Sequence, residues 1–362
     1  MVTPDVMPPR LHTKLLVKPT DVQPQFVGFE VIGTFNPAAV DFDGEVALLI
    51  RVVERPIETR PGYIALPFWN HEQRSVAVDW RSLDEVDLID PRIVRIKASG
   101  HIRLTFISYL LPAFSRDGSS IDRFGEHPML PATRYETFGV EDARLAKLDD
   151  RYYLTYVAVS PHGISTALAS TADFHSFERH GIIFCPENKD VLLFPEKIGD
   201  EFVAFHRPNP NAHFSPPEIW LARSPDLIHW GRHERLLGAE ASWASVKVGG
   251  GVSPIRTERG WLSLYHGHIA PTAAEQRAGS IGQYAAASML LDLGDPRRIV
   301  GLSPHPIMRA EADFERLGYL PNIVFPTALL RRGESVDVYY GAADTCTGVA
   351  RYALDDLLAT IP

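Results

Sequence analysis

Ser165-Thr-Ala-Leu-Ala-Ser-Thr-Ala-Asp-Phe-His-Ser-Phe-Glu-Arg-His180 is the stretch on which the fold turns. A strand-like run, Tyr152-Tyr-Leu-Thr-Tyr-Val-Ala-Val159, precedes it. The same order returns further on. Phe202-Val-Ala-Phe-His206 is followed by Ile219-Trp-Leu-Ala-Arg-Ser-Pro-Asp-Leu-Ile-His-Trp-Gly-Arg-His233. Both copies place an apolar residue after the Asp (Asp173, Asp226), an aromatic four positions beyond it (Phe177, Trp230), and then Arg-His. They match loosely at the start, where Ser170 and Ser224 stand at different distances from the Asp. A weaker third copy runs from Trp261–Tyr265 to Tyr284–Asp292, and a fourth from Val336–Tyr340 to Gly348–Asp355. Each unit reads as a strand, a turn, a second strand and an Asp-led turn.

Repeats of roughly 50–70 residues built from short strands point to a β-propeller. The β-branched run Val46–Val53 and the alternating run His101–Tyr109 add strands before the first copy. Counting them gives about five blades, so the expected fold is all-β, a five-bladed β-propeller. A pair of β-sandwiches is the alternative, and the regular repetition favours the propeller. No long helical period occurs, and only Leu354–Thr360 suggests a short turn of helix. Residues 1–25 are Pro-rich and read as an irregular arm, leaving 26–362 as a single catalytic domain.

The bulk numbers narrow the function. A formal charge of −9 argues against phosphate-backbone binding and hence against a nucleic-acid partner. No apolar run approaches a membrane span, and the first ten residues hold three prolines rather than a signal sequence. A cytoplasmic protein is the expectation. Cys185 and Cys346 are too few for a disulfide framework and read as buried free thiols; no metal-ligand spacing appears.

A propeller gathers one cluster per blade at the mouth of its channel, so candidate residues should be scattered along the chain. They are Asn36, Arg51, Glu141 with Asp142, Lys189 with Asp190, His206 with Arg207, His213, Lys247, His266 and Asp344. Each has an ordinary structural alternative. Asn36 before Pro37 is a common turn residue, and Lys189 could be a solvated loop charge. Arg51 lies in an apolar strand and needs either an ion partner or a polar channel. Glu141 and Asp142 could simply pair with Arg144. Lys247 precedes Gly249-Gly-Gly251, where backbone can approach a ligand closely.

Together these residues carry a resemblance. Phe35-Asn-Pro, Leu48-Leu-Ile-Arg-Val-Val-Glu-Arg, Gly139-Val-Glu-Asp-Ala-Arg, Glu187-Asn-Lys-Asp-Val-Leu-Leu-Phe-Pro-Glu-Lys, His206-Arg-Pro, Lys247-Val-Gly-Gly-Gly, Pro321-Asn-Ile-Val-Phe-Pro and Tyr340-Gly-Ala-Ala-Asp-Thr resemble glycoside hydrolase family 130. The resemblance implies an inverting enzyme on β-mannosides. Most members use inorganic phosphate as co-substrate and release α-mannose 1-phosphate; a minority are β-1,2-mannosidases that use water. It implies Asp142 as the acid, acting through the mannose 3-hydroxyl. Asn36, Arg51, Asp344 and His266 would hold the sugar, and Lys189, Arg207, Lys247 and His213 the phosphate. No metal or other cofactor is implied. The family often forms homo-oligomers, which the Pro-rich arm would suit. Ala143 stands where the family usually has Pro, and Lys189 where many members have Arg. Lys cannot make the bidentate fork that Arg makes with phosphate.

Phosphorolysis and hydrolysis need different cavities. An inverting hydrolase needs a second carboxylate to activate water. A phosphorylase needs positive charge to hold an anion that is already nucleophilic. The cluster Lys189, Arg207 and Lys247 favours phosphorolysis; Glu136, Asp190, Glu196, Glu218 and Glu240 are the candidate second carboxylates for hydrolysis. A non-catalytic sugar-binding propeller is the remaining alternative. Tyr135, Phe138, Trp69 and Phe214 are candidates for stacking on a second sugar.

Overall fold

A computed structural model describes residues 7–209, 214–277 and 281–362. The long apolar runs become strands buried on both faces, and the strands group into repeated antiparallel units. In the first, Phe29–Phe42 pairs with Glu45–Pro56, which pairs with Ile107–Ser115, edged by the short strand Arg123–Phe124. The second runs Gly139–Leu148, Arg151–Ser160, Gly163–Thr171, Glu178–Phe184. A single parallel pairing, Gly139 with Ser108, joins it to the first. The third runs Asn188–Leu193, Phe202–Pro208, Ile219–Ser224, Gly231–Leu237. The fourth runs Lys247–Gly250, Gly260–Ile269, Gln283–Leu291, Ile299–Leu302, with Ile255–Thr257 also on Gly260–Ile269. The fifth runs Val324–Arg332, Ser335–Ala342, Cys346–Ala353, and closes on His12–Val17. The expected irregular arm therefore contains a strand.

The Asp-led turn has a physical cause. Asp173 Oδ1 accepts from the amides of His175 and Ser176, and Asp226 Oδ1 from those of Ile228 and His229. Asp292 caps Gly294 and Asp295 in the same way, and so does Asp117 with Ser119 and Ser120 in the first unit. A carboxylate that satisfies two turn amides pins the reversal between third and fourth strands. The fifth unit needs no such turn, because its fourth strand comes from the chain's beginning. Asp355, expected to lead one, lies instead in the short helix Leu354–Ala359.

Two other expectations change. The run His101–Tyr109 is broken between Ile102–Leu104 and Ile107–Ser115, and the latter shares a sheet with the Val46 run. Between those two central strands an insert folds as the hairpin Tyr63–Asn70/Ser75–Ser82 and a small sheet of Val86–Asp90, Ile93–Ile96 and Ile102–Leu104. Cys185 is exposed rather than buried; Cys346 is buried, and neither is in a disulfide. No helix among the described residues is long and apolar enough to cross a membrane.

Alternation places the core. Leu193 packs toward the second unit with Leu148 and Leu168, while its neighbour Leu192 packs toward the fourth with Trp261 and Tyr265. Met289 faces the third unit and Leu290 the fifth. One apolar layer joins Leu154 and Tyr156 of the second unit, Leu48 and Ile50 of the first, and Tyr339 and Val349 of the fifth. Strands covered on both faces are why these segments read as continuous rather than alternating apolar runs.

The leading strands share a second feature. Their pairing registers jump between Phe35 and Ala38, between Glu141 and Arg144, and between Lys189 and Leu192. At these bulges Asn36, Asp142 and Asp190 adopt left-handed backbone, with φ of 50°, 50° and 54°. Asn and Asp tolerate that region better than other residues with a side chain. A bulge bends the strand and re-aims its side chain.

Candidate active site

The bulged strands surround a cavity of about 300 Å³, at the lower end of the range for small-molecule sites. Every unit contributes to its wall: Asn36 and Arg51, Glu141 and Asp142, Lys189 and Arg207, Lys247 and Tyr284, Phe325 and Asp344. The insert adds Arg92, and Tyr319 comes from the segment before the fifth unit.

One part of the wall is organised by Arg51. Its Nη1 donates to Asp142 Oδ1 at 2.9 Å and its Nη2 to Glu141 Oε1 at 2.7 Å. Asn36 Nδ2 donates to the same Asp142 Oδ1 at 2.8 Å, and the Ser108 hydroxyl to Glu141 at 3.3 Å. The Arg51 guanidinium lies 4.8 Å from the Phe35 ring centroid, a cation–π contact that holds it in a largely dry place. Arg144 forms no ion pair with Glu141 or Asp142, the ordinary alternative for the acidic pair, and supports Asp142 in another way. It donates to the carbonyls of Gly251, Asp142 and Ala143, so it braces the bulge backbone rather than the carboxylates. Asp344 is met by Arg92, Nη1 to Oδ2 at 3.4 Å, and Arg92 is itself tied to Asp90 at 3.0 Å.

The basic part holds Lys189, Arg207 and Lys247. Lys189 and Arg207 face each other across the strand pair. Lys247 Nζ lies 5.1 Å from the Tyr284 ring centroid. Arg207 Nη1 is 2.8 Å from Asp190 Oδ2, and His266 Nε2 is 3.4 Å from the same oxygen.

The charges are strongly coupled to burial. Burial pushes the Asp142 carboxyl up, but Arg51, Lys189, Asn36 and Arg144 outweigh it, so Asp142 stays below the usual carboxylate range. Burial raises Glu141, with Arg51 only partly offsetting it, and it raises Asp344 against Arg92 and Arg51. Burial, with Arg207 alongside, brings Lys247 down to about 8. Burial takes His266 down to about 4, so it is neutral at ordinary pH. Among the described lining residues, five cations (Arg51, Arg92, Lys189, Arg207, Lys247) face three carboxylates (Glu141, Asp142, Asp344). A chain that is acidic overall thus carries a cavity suited to an anion.

Eight of the candidate residues line this cavity: Asn36, Arg51, Glu141, Asp142, Lys189, Arg207, Lys247 and Asp344. His266, expected at the sugar, is not part of the lining and sits behind Arg207 and Asp190. His213 lies outside the described residues. His206 is buried against Phe184 and bonded to Asn188 and His233, away from the lining. Arg92, Tyr284 and Tyr319 were not anticipated. Arg92 follows Asp90-Pro91, a turn signal with nothing to mark its reach; Tyr284 opens the second segment of the third repeat copy, which flagged the strand but not the side chain. The stacking candidates are elsewhere: Trp69 and Phe138 are core, Tyr135 packs on it, and Phe214 is exposed. The aromatic lining is Phe35, Phe106, Tyr284, Tyr319 and Phe325.

The candidate second carboxylates are all engaged outside the lining. Glu136 is buried and accepts from Tyr156, Arg179 and two amides. Glu196 pairs with Arg256, and Glu218 and Glu240 share Arg235. Asp190 is held behind Arg207. Among the described residues no group of His, Cys, Asp and Glu is placed to hold a metal ion.

A carboxylate held beside a cationic wall in one sugar-sized cavity is the equipment of an enzyme acting on glycosidic bonds. Residues 54–361 match the family model of glycosyl hydrolase family 130, described as beta-1,4-mannooligosaccharide phosphorylase. A beta-1,2-mannobiose phosphorylase of Listeria innocua is 40% identical over 96% of this chain and 97% of its own length. A 1,2-beta-oligomannan phosphorylase of a Thermoanaerobacter species is 35% identical over 70% of this chain and 81% of its own. The structure of the Listeria innocua phosphorylase in complex with beta-1,2-mannobiose superposes with a TM-score of 0.89, at 38% identity, covering 97% of this chain and 99% of that one. The chain belongs to glycoside hydrolase family 130.

Proposed function

We propose that this enzyme is an inverting β-mannoside phosphorylase, cleaving a short β-1,2-linked mannoside with inorganic phosphate to give α-mannose 1-phosphate. The observation that carries this reading is the cavity wall: Lys189, Arg207 and Lys247 share one cavity with Asp142, and the other two carboxylates lining it are each held by an arginine, Glu141 by Arg51 and Asp344 by Arg92. Water would find no carboxylate there free of an arginine to act as its base, whereas phosphate needs only to be held in line with the anomeric carbon. The β-1,2 linkage rests on the relative that aligns over nearly the whole chain.

In this reading Asp142, ionised before phosphate binds, takes up a proton once the bound anion offsets the Lys189 charge that helps hold it down, and is then the acid, passing that proton through the mannose 3-hydroxyl to the departing oxygen. Asn36, Arg51 and Asp344 hold the mannose, with Arg92 behind Asp344. Lys189, Arg207 and Lys247 hold phosphate, and Tyr284 flanks it. Monohydrogen phosphate attacks the anomeric carbon as the glycosidic bond breaks, and the leaving sugar takes the proton of Asp142. The new phosphate ester gives up its remaining proton, which balances the one Asp142 took up, so the cycle closes without another acid or base. No cofactor enters.

We further propose that the five units are blades of a closed propeller, forming one catalytic domain over 26–362 and stapled by His12–Val17. The apolar layers support this, since each unit shares one with the next and the fifth shares one with the first. A charged sugar phosphate is retained only behind a membrane, which supports a cytoplasmic setting. The test is proton and phosphorus NMR of a running reaction on β-1,2-, β-1,3- and β-1,4-mannobiose. The α anomer of mannose 1-phosphate should appear first, from the β-1,2 disaccharide; the β anomer, or preference for another linkage, would refute the corresponding part.

A further inference from the structure

We infer that Asp190 is the positioning residue of the phosphate side: a buried carboxylate that fixes the Arg207 guanidinium and supplies the counter-charge that lets Arg207, Lys189 and Lys247 share one cavity. The inference rests on the phosphorolytic reading above.

Asp190 occupies the same bulge position in the third unit as Asn36 and Asp142 do in the first and second. Those two touch each other, 2.8 Å apart. Asp190 turns instead to the adjacent strand, where its Oδ2 stands 2.8 Å from Arg207 Nη1. Both side chains are almost wholly buried, at 0% and 5% exposure. The approach is tight enough to dictate a neighbour: a Cβ at Gly249 would sit 2.4 Å from Asp190 Oδ2 and 2.5 Å from the His266 ring. Glycine therefore opens the triple-glycine run because the Asp190–His266 pair fills the space a side chain would need.

The pairing works through charge. Neither oxygen of Asp190 meets hydrogen-bond geometry with a protein donor, and Arg207 Nε is buried with no protein partner. Arg207 is thus held by an ion pair at Nη1 while its side chain lines the cavity. His266 lies 3.3 Å from Arg207 Nη1 and, being neutral, backs the pair without adding to the positive charge. Among the described residues no other carboxylate makes an ion pair with Lys189, Arg207 or Lys247. Without Asp190 the cavity wall would hold a buried guanidinium with no protein counter-ion beside two lysines, a costly arrangement that a shift of Arg207 would relieve.

Asp190→Asn tests this, because it keeps the shape and removes the charge. Asn accepts left-handed backbone, as Asn36 does at φ 50°, so the bulge should persist. The KM for phosphate should rise roughly tenfold to a hundredfold, as expected for loss of a charge-assisted contact, while the KM for mannobiose stays within about twofold. On an Arg207→Ala background the same change should add little to the phosphate KM, because residues acting as one unit are not additive. The pH profile gives a third readout. Lys247 faces Arg207 and Arg92, which favour its neutral form, and Asp190 and Asp344, which favour its cation. Tyr284, His266 and His268 are the other titratable neighbours. Loss of Asp190 should move the alkaline weakening of phosphate binding to lower pH than in wild type. Equal increases in both KM values with a lowered melting temperature would reduce Asp190 to a structural role and overturn the inference. So would an unchanged phosphate KM in Asp190→Asn when the wild type requires phosphate, leaving phosphorolysis intact. A wild-type enzyme indifferent to phosphate would overturn both.

Discussion

Arg51 Nη1 and Asp142 Oδ1 are 2.9 Å apart, both on buried side chains that come from leading units far apart in sequence. The second terminal nitrogen of Arg51 reaches Glu141 at 2.7 Å. One guanidinium therefore fixes two consecutive carboxylates, and it does so from the strand next to the one carrying Asn36. The pair defines which of the two carboxylates carries charge before substrates bind. Asp142, with Arg51 and Asn36 on one oxygen, keeps its negative charge, whereas burial pushes Glu141 toward its neutral form.

Asp142→Asn should lose about 10²–10⁴-fold in kcat on mannobiose, the usual contribution of a general acid. An aryl mannoside whose leaving group needs no proton should lose far less. Steady-state rates on both substrates check this; equal losses would show that Asp142 serves binding rather than proton transfer.

Arg51→Met removes a buried cation and strands two buried carboxylates, which typically costs about 3–5 kcal/mol. The sign with pH follows from Asp142, whose folded pKa is lowered. Its contribution is present above the ordinary carboxylate value and is lost as pH falls through the lower folded value. Denaturant melts should therefore show the full gap between wild type and variant at neutral pH, closing only in strong acid.

Lys247 is cationic below about 8 and neutral above it. If it holds phosphate, the KM for phosphate should be flat at neutral pH and climb beyond about 8, with mannobiose KM unaffected. Lys247→Met should raise the phosphate KM at every pH and flatten the profile. A climb that survives in Lys247→Met would assign it to another group.

Gly341 lets Asn36 sit close. A Cβ there would stand 1.9 Å from Asn36 Oδ1 with Gly341 itself in ordinary strand backbone. Gly341→Ala should push the Asn36 amide off Asp142, lowering kcat at least tenfold with a smaller effect on the phosphate KM.

Much of this was legible in the sequence. Runs such as Val46–Val53 and Tyr152–Val159 are strands because their residues are apolar on both faces, and the Asp-led turns at Asp173, Asp226 and Asp292 are the capped reversals their spacing suggested. Eight of the cavity's polar residues could be named because strand ends and turns announce themselves. The rest depended on geometry that local pattern does not carry. The bulges at Asn36, Asp142 and Asp190 have no signature beyond residues that tolerate left-handed backbone. Arg92 enters through an insert whose path is set by tertiary packing. His266 was misplaced because a histidine at a strand end looks the same whether it faces a ligand or stands behind an arginine. Trp69 and Phe138 failed as stacking residues because a large aromatic is as useful in a core as in a cleft.

The central claim is that phosphate, not water, attacks the mannoside held beside Asp142. The most direct measurement is the initial rate on β-1,2-mannobiose with inorganic phosphate added or rigorously removed, with products separated. Cleavage should require phosphate and yield α-mannose 1-phosphate and mannose in equal amounts. Two equivalents of free mannose, released at the same rate without phosphate, would contradict it.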